Sequence, residues 1–453
     1  MCPSVPGEGS STNPARPHHR ASDGTSVRPD PVRPAGWQHE PPVVAVQRRT
    51  LRLLAAAQVL GGIGFGAGLS VGILLAAQVT RSEGWAGVAR TSSTVVAALV
   101  AVPLAVLAAR SGRRISLGLA WALATTGSVA LVAAAQLADS NRLVASGLLI
   151  YGLGISGAGS AASLQGRYAA TDLAAPEHRS RHLSLIVWAT TVGTVLGPNL
   201  GAPGEALAGT LGLAPMAGPF VIAAVMLTLA TGVILLLRPD PLLLAARYTH
   251  VDPHAPRSGT RAAMGRAWRI GGARTALVAM CAAHTVMVGV MTMTPVHMDH
   301  HGASITVVGL TISIHVLGMF AFSPLVGIAA DRVGRLPVIV AGGGTLLVAT
   351  VIAGTAGPSM ARVTIGLFLL GVGWSLVLVP ASTLLTESVP AADRTRVQGG
   401  SDAAMNVSAA IGAAGSGPLL GLIGFGGLNA LSALIVLAAV PLLLRARRLP
   451  VRA

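Results

Sequence analysis

Five polar side chains within long apolar stretches are the residues of this sequence best placed to do chemistry. His284, His315 and Asp402 are ionisable, Asn406 lies four residues after Asp402, and Gln58 lies in a stretch without an acid. A charge at the centre of a bilayer costs about 2.5–3.5 kcal/mol on insertion scales, so an ionisable residue there is a functional candidate. Because histidine titrates near neutral pH, His284 and His315 are candidates to carry a proton or to line a cavity.

Each of these residues also has a structural interpretation. A buried histidine can be hydrogen-bonded between helices, and a buried amide such as that of Gln58 needs a partner. Asp402 and Asn406 share one face of a helix. Asp402 lies about two helical turns after Arg396, so a salt bridge or a gate is the alternative to a central binding role.

A second cluster is the stretch TPVHMDHHGAS, which contains His297, Asp299, His300 and His301. Imidazole and carboxylate groups suit Zn, Ni or Co. Adjacent residues in one short loop rarely converge on a single ion. We therefore favour a polar outer gate over proton sensing or metal binding, and we predict no metal site.

The elements that carry these residues have the composition of a membrane protein. The chain has 453 residues, of which 52% are hydrophobic and only 11% are charged, whereas about 25% of a soluble domain is charged. All 32 basic residues are arginine, and they lie in short clusters between apolar stretches. The net charge of +16 therefore indicates orientation in a bilayer rather than nucleic-acid binding. Without a nucleotide-binding loop or a hydrolase constellation, we expect neither an enzyme nor a cofactor.

Twelve apolar stretches are each long enough for a membrane-crossing helix, which needs about 20 residues. Helices are expected because lipid offers no partner for free backbone groups. The sequence thus predicts an all-α integral membrane protein with twelve transmembrane helices. The stretches lie near residues 53–79, 86–109, 115–138, 143–165, 184–207, 215–237, 275–296, 305–330, 336–356, 363–386, 399–422 and 425–444.

The arginine content of the connections alternates along the chain. One set of loops contains most of the arginines, including the loop with Arg167, Arg179 and Arg181. The alternate loops contain little more than Arg81, Arg142 and Arg362. By the positive-inside rule the arginine-rich loops and both termini are cytoplasmic. The predicted organisation is a disordered cytoplasmic tail (1–46), a six-helix bundle (47–238), a cytoplasmic linker (239–273), a second six-helix bundle (274–447) and a short cytoplasmic tail (448–453).

Two sequence patterns occur once in each half of the chain. TDLAAPEHRSR begins at Thr171 and TESVPAADRTR begins at Thr386, 215 residues later, and both read Thr, acid, six residues, Arg, one residue, Arg. AVLAARSGRR (105–114) and GIAADRVGR (327–335) form a second pair in equivalent loops. Repetition of two six-helix halves is typical of transporters that rock about a central site.

With these features the chain resembles the major facilitator superfamily over residues 48–448. In the second copy of the loop signature, Gly327, Asp331, Arg332, Gly334 and Arg335 match the family pattern. The first copy retains Gly112, Arg113 and Arg114, but it has alanine at position 109, where the family usually has an aspartate. The resemblance implies two pseudo-symmetric bundles and transport by alternating access.

The stretch GTVLGPNLGA resembles the antiporter motif of proton-coupled drug exporters. Gly193, Gly197, Pro198 and Gly201 match this motif, and Ala202 replaces its last glycine. Proline removes a backbone donor and kinks a helix, and glycines allow a neighbouring helix to approach closely. Packing alone is the structural alternative. In the family the motif accompanies export, so the resemblance implies efflux.

The expected function is therefore secondary transport, as proton-coupled efflux of a small, moderately apolar compound. The alternatives are a proton-coupled uptake symporter, a divalent-metal exporter that uses the His-rich outer loop, and a membrane sensor without transport. The expected partners are the small-molecule substrate, protons and the lipid bilayer, with a functional monomer in a bacterial inner membrane. Tyr151, Trp188 and Trp374 are expected either to stack on a planar substrate or to pack between helices.

Asp331 is expected to act as a one-sided latch. It should lie where the eighth stretch ends, near Arg332 and Arg335 and near the start of the fifth stretch. Its carboxylate can pair with an arginine or with the positive N-terminal end of a helix. Because alanine occupies position 109, the equivalent latch of the first half lacks its acid. The alternative is that the arginines of both copies set membrane orientation only.

Overall fold

The computed structural model describes residues 36–80, 83–249 and 259–446, which form helices and their connecting loops without a strand. The first α-helices are α1 (Pro41–Thr80), α2 (Glu83–Gln136), α3 (Arg142–Ile155), α4 (Gly157–Ala169), α5 (Arg179–Leu196), α6 (Gly201–Leu211) and α7 (Gly218–Leu235). They are followed by α8 (Pro241–Tyr248), α9 (Thr260–Arg269), α10 (Gly271–His300), α11 (Ile305–Phe320), α12 (Ser323–Val333), α13 (Arg335–Gly354), α14 (Met360–Ser388) and α15 (Ala391–Ala446). Short 3-10 helices lie at Trp37–His39, Pro176–His178, Gly197–Leu200 and Pro215–Ala217.

By length and composition, eight helical segments of the described residues are able to cross a membrane. Two of them, Ser92–Gln136 and Ala391–Ala439, have 45 and 49 residues, about twice the length that one crossing needs. Each contains a glycine outside the helical conformation, Gly112 with φ 86° and Gly424 with φ 68°. These glycines divide the two long segments close to the loops that the sequence predicts.

Helix α1 begins before the end of the predicted disordered tail. The sequence predicts a tail that extends to residue 46, whereas α1 starts at Pro41 and a 3-10 helix covers Trp37–His39. Proline is tolerated in the first helical turn because the N–H groups there have no helical acceptor. The indole of Trp37 stacks on Tyr248 of α8 with ring centroids 4.7 Å apart. The predicted boundary is therefore wrong for residues 37–46, and residues 1–35 lie outside the described part.

Helices α8 and α9 lie in the segment predicted as a linker. Asp240 is the N-cap of α8 and accepts hydrogen bonds from two backbone N–H groups of its first turn. Helix α9 lies in the second part of this segment, and its Trp268 is 52% exposed. Arg266 donates to Asp393 at 2.8 and 2.6 Å, which ties α9 to the start of α15. The hydrogen bonds to this carboxylate raise the pKa of Arg266.

The buried hydrophobic residues form clusters within each half of the chain and one cluster between them. Two clusters lie within residues 51–237, and a larger one lies within residues 263–436. The cluster between the halves joins Leu183 and Val187 of α5 to Val326 and Ala330 of α12 and to Val379 of α14. Burial of these side chains stabilises the contact between the two halves.

Two close helix crossings join the halves, and each depends on a glycine. A Cβ atom added to Gly327 of α12 would collide with Ser184 of α5, and one added to Gly399 of α15 would collide with Ala105 of α2. Ser184 and Gly399 are 215 residues apart, which is also the offset of the repeated Thr-acid pattern. In the sequence repeat, the glycine of one crossing therefore occupies the position that the larger residue occupies in the other crossing.

Candidate functional site

A cavity of about 300 Å³ lies between helices of the two halves. Its aromatic wall consists of Phe65 and Trp121 from the first half and Phe320 and Trp374 from the second. Methionine, valine and leucine side chains cover much of the remaining surface. The polar residues that line it are Ser160, Ser163, Arg167, Thr190, Thr194, His284 and Asn406. The arrangement is that of a mostly apolar ligand site with a few polar groups.

A buried ion pair joins the halves beside this cavity. Arg167 of α4 donates from Nη2 to Asp402 Oδ1 of α15 at 2.7 Å, and the two side chains are 2% and 0% exposed. Nε of Arg167 also donates to Ser382 Oγ at 3.3 Å, and the guanidinium lies 4.6 Å from the ring centroid of Tyr168. Arg167 lines the cavity, whereas Asp402 is not among its lining residues. Of the two residues of the ion pair, Arg167 is therefore the one that lines the cavity.

The sequence interpretation assigned Arg167 to a cytoplasmic loop, and this assignment is wrong. The side chain is buried and is held by residues of the opposite half of the chain. The expected salt bridge of Asp402 is present, but its partner is Arg167 rather than Arg396. Asn406 lines the cavity and donates to the backbone oxygen of Asp402 at 2.9 Å, so the two residues do share a helix face.

Of the two candidate histidines, only His284 lies at the cavity. Its Nδ1 accepts a hydrogen bond from Nε1 of Trp374 at 3.0 Å. A nitrogen that accepts this bond carries no proton, so the contact favours neutral His284. His315 is fully buried between α11 and α14, where its Nδ1 donates to the oxygen of Leu367 at 2.7 Å. His315 thus has the structural contact that the sequence left open for it.

Gln58 lies behind the cavity wall and positions two lining residues. Its Nε2 donates to Ser163 Oγ and, at 2.9 Å, to Thr190 Oγ1. The side chain is buried and does not line the cavity itself. The Nε2 group of Gln58 therefore has hydrogen-bond partners within the protein. Because Gln58 does not line the cavity, we do not expect it to contact a bound compound directly.

Of the three aromatic residues considered from sequence, Trp374 alone contributes to the cavity. Tyr151 and Trp188 are 50% and 41% exposed. The ring of Trp374 contacts Phe320 edge to face, with centroids 5.7 Å apart. Trp121, which the sequence interpretation did not single out, completes the wall from the first half. The position of Trp121 in an apolar stretch is the only indication of this role in the sequence.

Asp331 lies at the arginine-rich end of the helices and caps α5. Its two carboxylate oxygens accept hydrogen bonds from the backbone N–H groups of Ser180 and Arg181 at 3.1 and 2.9 Å. Arg335 approaches the same carboxylate at 2.9 Å, whereas Arg332 is exposed. A negative charge at a helix N-terminus is stabilising because it compensates the unpaired N–H groups. The carboxylate thus joins α12 of the second half to α5 of the first.

The arginines of the two loop signatures make equivalent contacts with the repeated Thr-acid patterns. Arg113 donates to Asp172 at 2.8 and 3.2 Å, and Arg335 donates to Glu387 at 3.1 Å. Asp172 and Glu387 are 215 residues apart, so the two ion pairs are related by the sequence repeat. The repeated Thr-acid pattern contains both acids and is the sequence signal that indicates these two ion pairs.

Arg113 also reaches into the second half of the chain. Its Nη2 donates to Oε1 of Gln398 at 2.7 Å, and Gln398 in turn donates to Thr386 at 3.1 Å. Arg335 crosses in the opposite direction and donates to the backbone oxygen of Pro176 at 2.8 Å. Burial raises the pKa of Asp172, while the charge of Arg113 opposes this shift. These contacts, with the Asp331 cap, close the arginine-rich end.

The first loop signature has a different acid near its turn. Gly112, with φ 86°, and Gly334, with φ 102°, adopt a conformation that residues with a Cβ atom rarely adopt, which explains why both copies have glycine there. Asp240 from the start of α8 accepts a hydrogen bond from the backbone N–H of Arg114 at 2.8 Å. Ala109 instead lines a cavity of about 130 Å³ with residues of the first turn of α15.

The glycines of the antiporter-like motif contact the glycines of α1. A Cβ atom on Gly193 would collide with Gly62, and one on Gly197 would lie 2.5 Å from the Cα atom of Gly66. An atom added to Gly201 would meet open space. The motif coincides with the 3-10 helix Gly197–Leu200 between α5 and α6; the side chain of Pro198 lies outside the described part.

The histidines at the end of α10 are held by helix contacts. His297 donates from Nε2 to the backbone oxygen of Gly357 at 3.0 Å, and its ring stacks on Phe425 with centroids 4.1 Å apart. His301 donates to the backbone oxygen of His297 at 2.8 Å, while Asp299 and His300 are exposed. Among the described residues, no group of three or more His, Cys, Asp or Glu side chains is arranged to hold a metal ion.

Comparison with known proteins relates this site and fold to one family. The family model described as Major Facilitator Superfamily matches residues 54–304 and 275–453. The chain is 36% identical over 406 residues to the uncharacterized MFS-type transporter YdeG of Bacillus subtilis, covering 89% of this chain and 93% of that protein. It is 29% identical over 401 residues to the riboflavin transporter RfnT of Brucella anthropi, covering 88% of this chain and 96% of the relative.

The solved structures agree with these sequence matches. That of the human organic anion transporter MFSD10 superposes with a TM-score of 0.69 and 16% identity, covering 88% of this chain and 99% of MFSD10. At this identity the likeness concerns the fold. Since the family model covers most of the sequence and YdeG matches over nearly its full length, the chain belongs to the Major Facilitator Superfamily.

Proposed function

We propose that this transporter moves a small, moderately apolar compound out of the cell by proton-coupled alternating access. In this proposal twelve transmembrane helices form two six-helix bundles, with Gly112 and Gly424 each separating two crossings. The observation that carries it is the cavity of about 300 Å³ between the halves, together with the contacts that close the arginine-rich end. Alternating access requires both features, a binding site between the halves and a gate that closes one end.

The arginine-rich end is the cytoplasmic side in this proposal. The positive-inside rule supports this orientation, because the loops at that end contain most of the chain's arginines. Both termini are then cytoplasmic, and the described conformation faces outward. We propose a functional monomer in a bacterial inner membrane, because the cavity and its gates are built from one chain.

The antiporter-like motif supports efflux as the direction of transport. Its first two glycines lie against Gly62 and Gly66 of α1 beside the 3-10 segment, which is where two helices could shift against each other. The name of RfnT suggests riboflavin, and with it other planar heteroaromatic compounds, as first substrates to test. The His-rich end of α10 acts as a polar outer rim, and the metal-export alternative has no support from its geometry.

Uptake by proton symport is the second candidate function, and the Arg167–Asp402 ion pair favours it. A proton on Asp402 would remove the counter-charge of Arg167 and leave the guanidinium available to a substrate oxygen. Proton binding and substrate binding would then strengthen each other, as thermodynamic linkage requires. Cooperative binding of this sign drives co-transport, whereas antiport requires competition.

Everted membrane vesicles distinguish the two directions. With an acid interior, the proposed antiporter accumulates its substrate, and adding the substrate releases protons. Substrate that accumulates only in right-side-out vesicles with an acid exterior supports symport instead. Vesicles without the protein provide the control. The transport proposal is wrong if a broad panel of small aromatic and aliphatic compounds gives neither flux nor proton movement in either preparation.

A further inference from the structure

We propose that the cavity recognises a planar aromatic compound that bears an anionic oxygen group, such as a carboxylate, and that Arg167 binds this group. The inference rests on the proposed function in one respect, because it takes the cavity as the substrate site of a transporter, and it applies to export and to uptake alike. It goes further by naming the charge and shape of the substrate and the residue that selects them.

The charge of the lining is the first argument. Arg167 is the one formally charged residue among the lining residues of the described cavity, and the lining contains no aspartate or glutamate. Asp402 balances the guanidinium but does not line the cavity. The residue of the pair that is nearest to a ligand in the cavity is therefore the positively charged one. An anionic group is attracted to this residue, and a cationic group finds no acid to bind.

The hydrogen bonds of Arg167 are the second argument. Its Nε and Nη2 donate to Ser382, Tyr168 and Asp402, whereas the buried Nη1 has no partner among the described residues. A buried donor without a partner is unfavourable, and arginine binds carboxylates through two parallel N–H groups. A ligand oxygen would satisfy the donor that the protein leaves unpaired.

The aromatic wall is the third argument and gives the shape of the ligand. Phe65 and Trp121 from one half and Phe320 and Trp374 from the other line the same cavity. Trp374 is held in place by its hydrogen bond to His284 and by its edge contact with Phe320. Aromatic side chains attract other rings by stacking and edge contacts. A volume of about 300 Å³ lies at the small end of ligand cavities, which favours a compact ring system.

Three probes with one ring system and different charges test the proposal. The full-length purified protein is titrated with 2-naphthoate, 2-naphthalenemethanol and 2-naphthylmethylammonium, and binding is followed by quenching of tryptophan fluorescence. We expect 2-naphthoate to bind at least tenfold more tightly than either other probe. Equal or tighter binding of the alcohol or the ammonium compound, or no binding of any probe, would overturn the proposal.

Two single variants give opposite results if the mechanism is right. Arg167→Gln should weaken 2-naphthoate binding at least tenfold and leave the alcohol within about twofold. Asp402→Asn should strengthen 2-naphthoate binding, because Arg167 loses its counter-charge. A purely structural ion pair predicts instead that both variants weaken all three probes alike, and that outcome would contradict the proposal.

The double variant Arg167→Gln/Asp402→Asn guards against misfolding, since it removes both charges together and leaves neither one buried without its counter-charge. It should bind the three probes with equal affinity. Arg266→Gln removes an arginine of an exposed ion pair away from the cavity and should retain the preference for 2-naphthoate. Loss of the preference in Arg266→Gln would show that it does not arise at Arg167.

Flux measurements in proteoliposomes separate this inference from the transport proposal. Transport of the alcohol or the ammonium probe without transport of 2-naphthoate overturns the substrate class and leaves the transporter function intact. Selective binding of 2-naphthoate that depends on Arg167 supports the recognition site, even if no compound is moved. In that case it is the transport proposal that fails.

Discussion

Asp331 shows how a single carboxylate joins two halves of a chain. It accepts two backbone N–H groups at the start of α5 and also pairs with Arg335 on its own side. In the first half, Ala109 occupies the corresponding position and Arg113 makes the crossing contact instead, with Gln398. The two junctions at the arginine-rich end are thus chemically different, although their loops share a sequence pattern.

We expect Asp331→Asn to lower the initial transport rate about two- to tenfold. The variant removes the charge from the helix N-terminus, which is worth about 0.3–1 kcal/mol and up to about 2 kcal/mol in partly buried sites, where about 1.4 kcal/mol corresponds to a factor of ten. Flux into proteoliposomes measures the effect.

Arg332→Gln is the matched control for this loop, because Arg332 is exposed beside Asp331. It should transport at close to the normal rate. If Asp331→Asn also transports normally, the loop acts only as an orientation signal and the proposed latch is wrong.

At the scale of helices, glycine determines how closely the elements approach. Gly193 and Gly197 of the α5 region lie against Gly62 and Gly66 of α1. Small residues at such contacts let helix backbones approach within van der Waals distance. A Cβ atom added to the third motif glycine, Gly201, would meet open space. The glycines of this one motif therefore do not all serve close helix packing.

Gly193→Ala and Gly197→Ala should each destabilise the protein by about 1–3 kcal/mol, because the added methyl group has no space. Gly201→Ala provides the control within the same motif and should be tolerated. The midpoint of thermal unfolding of the purified protein measures the difference. Equal effects at all three positions would contradict the packing assignment.

The crossing of α2 and α15 supplies a second test. Gly399→Ala places a methyl group against Ala105 and should reduce transport by keeping the arginine-rich end from closing. Ala105→Gly should restore transport in the double variant, with a coupling energy of about 0.5–3 kcal/mol. Gly415→Ala, at an open position of α15, is the control. Failure of the rescue would mean that this contact does not limit closure.

At the scale of the whole molecule, the described conformation combines a closed arginine-rich end with a cavity between the halves. The closing contacts form layers, from Asp331 and Arg113 at the loops to Arg167 beside the cavity. Alternating access requires these layers to separate in the other state. The ion pair beside the cavity is the layer that a bound ligand can reach.

Cysteine labelling tests the orientation of this conformation. In a variant with Cys2 and Cys281 replaced by serine, Ser160→Cys places a thiol on the cavity lining. We expect a membrane-impermeant maleimide to label it in intact cells. Arg332→Cys, at the arginine-rich end, should be labelled only after permeabilisation. The reverse pattern would contradict both the orientation and the outward-facing assignment.

The amino-acid sequence by itself determined the helical class, the membrane setting and the repeated loops. These properties are local. About 20 apolar residues suffice for a crossing helix. A turn that requires a positive φ favours glycine, as at Gly112 and Gly334. The family also followed from these motifs, and the comparisons confirmed it.

Only the tertiary structure decided which polar residues meet. Arg167 and Arg181 look alike in sequence, yet the packing of α4 against α15 buries Arg167 with Asp402, 235 residues away. The packing of other helices places His284 at the cavity and buries His315 between α11 and α14. Burial and pairing depend on helices that are distant in sequence, so neither residue type nor local spacing could have assigned these roles.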